Sequence, residues 1–159
     1  MKLILTAAAA LGALLASAAH ASTDPVLEWN SITLNTTAGQ NPFFQARYAA
    51  ITQLAVFEAM NAIDGQFDPY LGAVSAPPAA STEAAAVAAA HAVLSNYFPA
   101  NAATLDAAYA ASLARIPAGF RKQQGIATGE AAAMALIAHR NGDGSAPPEF
   151  YLPATTGPG

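Results

Sequence analysis

The chain has 159 residues, a length that suits one domain, and alanine makes up more than a quarter of it. Only 10% is charged, against a usual fraction of about 25%, and the net charge is −4. No basic patch exists to neutralise phosphates, which argues against nucleic acid, and the absence of cysteine excludes disulfides and thiolate metal sites.

Met1 to Ala21 reads as a secretory signal peptide: Lys2 supplies the positive start, Leu3 to Leu15 the apolar run, and Ala19-His20-Ala21 an A-x-A cleavage site. The apolar run is short of the roughly 20 residues that a membrane span requires. The expectation is therefore an exported protein, periplasmic or secreted, cut after Ala21, with no membrane span in the mature chain.

A helical domain is expected over 22–144. Asp24-Pro25 opens a first helix, with Val26, Trp29, Ile32 and Thr33 on one face, fading near Thr36-Thr37-Ala38-Gly39. The next stretch, Asn41 to Gly65, reads as one long helix, and the rest of the chain is expected to organise around it. Asn41 suits the cap, Pro42 the first helical position, and Gly65 a left-handed end. Its middle is apolar on nearly every side, which predicts burial among other helices. Asp64 to Tyr70 is turn-rich, and Val74 to Ala80, with Pro77-Pro78, is a loop.

Ser81 caps a third helix reaching about Tyr97, with Val87, His91, Leu94 and Phe98 on one stripe, and Pro99 ends it. A fourth helix spans about Ala102 to Arg115. A fifth spans about Phe120 to Arg140, and its Gly125 and Gly129 would let a neighbouring backbone approach closely. Short connections among the last three favour antiparallel neighbours. Ser145 to Gly159 holds four prolines and reads as an extended tail or linker. The predicted class is all-α, a bundle of about five helices.

At 100° per residue, Arg47, Glu58 and Asn61 fall on one narrow stripe of the long helix. A buried carboxylate beside a cation suits an active site; the preferred reading is a structural polar seam in which Glu58 neutralises Arg47. His91 lies on an apolar stripe and reads as a packed histidine with one hydrogen bond. His139 sits near the end of the fifth helix, where a cation suits the dipole. Arg121-Lys122 opens that helix and reads as a solvated basic pair. Asn141, Asp143 and Ser145 alternate with glycine but lack the glutamate that closes a calcium loop, so they read as a helix-ending turn. No catalytic, cofactor or metal residue is assigned.

Several stretches carry a family likeness: Val26-Leu27-Glu28-Trp29-Asn30, then AVFEAMNAIDG followed by FDPYL, then the alanine-rich helix to His91-Ala92-Val93-Leu94, LDAAYAASLARIP and GIATGEAAAMALIAHRNGDGS. Together they resemble the N-terminal part of bacterial vanadium-dependent haloperoxidase-like proteins, which belong with the type 2 phosphatidic acid phosphatase superfamily. Tyr151-Leu152-Pro153 and Gly157-Pro158-Gly159 resemble the linker before the family's catalytic half. The resemblance implies an α-helical bundle that is an incomplete half of a larger domain. It also implies vanadate or phosphate chemistry in a full-length member. The family's anion motifs, a lysine followed after six residues by Arg-Pro, then Ser-Gly-His, then an arginine with a nearby histidine, do not occur in these residues. Two functions follow as expectations. One is the supporting half of a haloperoxidase- or phosphatase-like enzyme, inactive alone and partnered by the catalytic half or by self-association. The other is a stand-alone secreted helical module that binds a protein partner.

Overall fold

The computed structural model describes residues 24–145. Five α-helices follow in order: α1 (Pro25–Thr37), α2 (Pro42–Asp64), α3 (Thr82–Tyr97), α4 (Ala102–Ala114) and α5 (Phe120–Arg140), with a 3-10 turn at Pro99–Asn101. The described residues form no strand, so the all-α bundle holds. None of their helices is long and apolar enough to cross a membrane. The signal peptide with Ala19 and Ala21, and the tail beyond Ser145, lie outside the described residues.

The helix ends follow local chemistry. Asp24 accepts from the Val26 N–H at 2.8 Å, and Asn41 accepts from the Phe43 and Phe44 N–H groups, both at 3.1 Å. Each cap satisfies amide donors that the first helical turn leaves unpaired. Ser81 does the same for Ala84 at the start of α3. Gly65 sits at φ 61°, ψ 29° and donates to the Asn61 carbonyl, closing α2 as a left-handed glycine should.

The hub is α3, not the long helix α2 as the sequence suggests. Ala84 to Ala90 of α3 are all buried, as are Val93 and Leu94, and α3 packs against each of the other helices. The reason is size. Alanine leaves a thin helix that neighbours can approach from every side, and it loses no side-chain entropy on burial. By contrast, α2 buries one face, including Ile51, Ala55, Val56 and Ala59, and leaves Phe43 88% exposed.

Helices α3 and α5 approach closely at the two glycines picked out from the sequence. A Cβ on Gly125 would sit 2.3 Å from the Ser81 carbonyl oxygen, and one on Gly129 would sit 2.3 Å from that of Ala85. The register runs the same way on both helices, Gly125 beside Ser81 and Ala84, Gly129 beside Ala85 and Ala89, so α5 lies parallel to α3. Alternate helices lie parallel when each short connection reverses the chain, so this agrees with the antiparallel order expected of consecutive helices; α3 and α4 meet at His91 and Asp106. What differs is the neighbour, since α5 packs mainly on α3 and α2. Trp29, 1% exposed, pins α1 to α4 by donating its Nε1 proton to Ser112 Oγ at 3.2 Å.

Candidate functional site

The polar stripe of α2 divides into two unrelated devices, which corrects the expected Arg47–Glu58 pair. Both residues point the same way around the helix, but eleven residues at 1.5 Å rise separate them by roughly 16 Å along it. Only residues three or four apart on a helix meet. Glu58 and Asn61 have that spacing, and they act together.

Glu58 is 4% exposed. Its Oε1 accepts from the Tyr70 N–H at short range and from the Leu71 N–H at 3.1 Å, and its Oε2 accepts from the Gly72 N–H at 3.2 Å. Asn61 takes both main-chain groups of one residue: its Nδ2 donates to the Phe67 carbonyl at 2.7 Å, and its Oδ1 accepts from the Phe67 N–H at 2.9 Å. The connection after α2 contains no regular structure to pair these amides. A buried carboxylate and a carboxamide do so instead, meeting the requirement that buried polar groups find partners. The charge on Glu58 is met by three oriented N–H dipoles and not by a cation.

Arg47 forks onto the Asp143 carboxylate, with Nη1 to Oδ2 at 2.8 Å and Nη2 to Oδ1 at 3.2 Å. The Ser145 N–H adds a bond to Asp143 at 3.1 Å. These hydrogen bonds, Arg47 first, hold the Asp143 carboxyl down at about 2. The 141–145 turn is thus tied to the start of α2. Burial raises the Tyr97 phenol above its ordinary value, with Arg47 opposing.

His91 is half-buried. Its Nε2 donates to Asp106 Oδ1 at 2.8 Å, and its ring stacks on Tyr109 with centroids 4.2 Å apart. The single hydrogen bond matches the sequence reading. His139 lies in the last turn of α5, edge-on to Tyr70. Arg121 and Lys122 are not a free solvated pair. Arg121 Nε donates to the Ala79 carbonyl at 2.7 Å, and Lys122 Nζ donates to the Leu113 carbonyl at 2.5 Å at the end of α4. The residues that complete these devices, Asp106, Asp143 and the amides of Tyr70 to Gly72, carry no periodic signal in the sequence.

All five Lys and Arg side chains among the described residues are therefore engaged. Arg115 pairs with Glu28, and Arg140 Nη2 donates to the Tyr70 hydroxyl at 2.8 Å. Arg47 and Arg140 line one open cleft of about 610 Å3 with Asn96 and Tyr97. Asp143 already fills the Arg47 fork, and Arg140 Nε is shut off from solvent. No cup of convergent cations for an oxyanion exists among the described residues. Comparison of the chain with protein-family models, with curated proteins and with solved structures finds no match.

Proposed function

We propose that this chain is the supporting helical part of an exported vanadium-dependent haloperoxidase-like or acid-phosphatase-like protein, whose oxyanion-binding residues come from outside these 159 positions. One observation carries the reading. The most specific piece of the resemblance, AVFEAMNAIDG followed by FDPYL, is a single physical unit here: Glu58 and Asn61 of the first part hold the backbone of Phe67, Tyr70 and Leu71 in the second, and of Gly72 just after it. Two stretches that resemble the family together are thus bonded to each other.

Vanadate or phosphate, the group the resemblance implies, finds no ready cup among the described residues. Holding an oxyanion takes several preorganised donors and cations aimed at one point. The cations here are spread over the ends of three helices and bound to the protein's own carbonyls, carboxylates and, for Arg140, the Tyr70 hydroxyl. The role left is mechanical, a rigid bundle presenting exposed aromatic side chains such as Phe43, Phe67 and Phe120 to a catalytic half or to a second copy.

The test is the natural protein itself. Its intact mass, with the sequence of any co-purifying chain, should reveal Arg-Pro and Ser-Gly-His motifs covalently or tightly attached. A natural product ending at Gly159 that purifies with no second chain would overturn the proposal and leave the stand-alone module.

A further inference from the structure

The turn that ends α5 carries one reactive pattern twice, Asn141-Gly142 and Asp143-Gly144. An asparagine side-chain carbonyl is open to attack by the next backbone nitrogen, and glycine, with no Cβ, hinders that approach least. Asn141 is the chain's one asparagine followed by glycine. The others precede larger residues, and Asn41 precedes proline, whose nitrogen has no proton to lose. Asn141 and Gly142 are both exposed. Among the described residues, the hydrogen bonds of this turn go to Asp143 and to the Asn141 main-chain N–H; the Asn141 carboxamide and the Gly142 N–H make none.

The second pair is protected. Both Asp143 oxygens are gripped by Arg47, and the Ser145 N–H adds a third bond. A carboxylate held ionised in this way is a poor target for an amide nitrogen. The same grip acts on Asn141, which stands at φ −72°, ψ 124°. That ψ turns the Gly142 nitrogen away from the side chain, so attack requires the peptide to swing about the Cα–C bond. Gly142 at φ 73° and Gly144 at φ 78° ease such a swing, and the fork between them opposes it. We propose that Asn141 is a site of self-deamidation held in check by the Arg47–Asp143 ion pair. The Gly142 nitrogen bonds to Asn141 Cγ, the Cγ–Nδ2 bond breaks, and the Gly142 amide proton leaves with the side-chain nitrogen as ammonia. Water then opens the cyclic imide at either carbonyl, leaving aspartate or isoaspartate. Both products place a new carboxylate in the cleft that Arg47 and Arg140 line, in competition with Asp143. The inference does not depend on the haloperoxidase-like reading.

The full chain, incubated in mildly alkaline buffer, is followed by intact mass, peptide mapping and labelling with an isoaspartate-specific methyltransferase. Exchange of carboxamide for carboxylate raises the mass, and the gain should map to Asn141 before any other asparagine. Arg47→Gln should speed it roughly fivefold, the most that a partly solvated ion pair contributes to holding the turn. Asn141→Gln, whose longer side chain closes a ring far more slowly, should abolish it. In urea, where no fork exists, the parent and Arg47→Gln should react at one rate. Gly129→Ala, which strains the α3–α5 contact and keeps the fork, should leave the folded rate near that of the parent. Four results would each overturn the proposal: equal rates in the folded parent and Arg47→Gln, an equal acceleration by Gly129→Ala, a gain that appears first at another asparagine, or no gain in either folded chain.

Discussion

Glu58 and Arg47 share an azimuth on α2 yet belong to separate structures, and stability measurements can tell. Truncating Glu58 to Ala strands three amide donors that a carboxylate satisfied. The expected loss is about 3 kcal/mol, since a hydrogen bond to a charged group contributes roughly 1.5–3 kcal/mol and the three overlap at this part-buried site. Arg47→Ala should cost less, because its pair with Asp143 is partly solvated. In urea melts of the single and double variants the two losses should add within about 0.5 kcal/mol, as for distant sites. A larger coupling would restore the Arg47–Glu58 pair. The sequence showed which way these side chains point around the helix. It did not show the rise between them or the loop that folds back over Glu58, because a partner twelve to fourteen residues away in irregular chain leaves no period to read.

Asp143 sets a pH dependence of its own. Its carboxyl ionises at about 2 in the folded chain, below an ordinary value of 3.8. A depressed folded value means that the ionised form is favoured by folding. The stabilisation is therefore fully present above about pH 4 and lost as the pH falls from there to 2. Urea midpoints measured across that range should fall more steeply for the parent than for Asp143→Asn. Identical profiles would mean that the Arg47 fork contributes nothing.

Among the elements, the α3–α5 contact is the most demanding. Gly129→Ala would drive a methyl into the Ala85 carbonyl and the Ala89 amide, backbone atoms that cannot swing aside. Overpacking of this kind costs roughly 1–3 kcal/mol, and the parallel contact leaves no side chain to yield. Gly39→Ala is the control, since a Cβ there meets nothing within 4 Å. Thermal melts should show a clear drop for the first and almost none for the second. Equal melting temperatures would mean that the two helices stand further apart. The five helix spans were legible because caps, prolines and glycines punctuate them. The glycine pair announced a close contact but not with which helix. The identity of the hub was hidden as well, because alanine is read as neutral filler when it is in fact what lets α3 be surrounded.

For the whole molecule, the proposal is that the bundle supports chemistry supplied from outside it, and the distribution of charge supports that reading. Its five described cations are each bound to an acceptor of the same chain, His91 is tied to Asp106, and His139 sits on a different helix beside Tyr70. Arg47 and Arg140 line one cleft, but turning both to an oxyanion there would mean giving up the bonds to Asp143 and to the Tyr70 hydroxyl. The most direct measurement is calorimetric titration of residues 22–159 with vanadate, run beside peroxide-dependent bromination of a phenolic dye. The account predicts no saturable heat and no vanadate-dependent bromination. Tight binding with turnover, abolished by His91→Ala or His139→Ala, would contradict it and make this chain an enzyme in its own right.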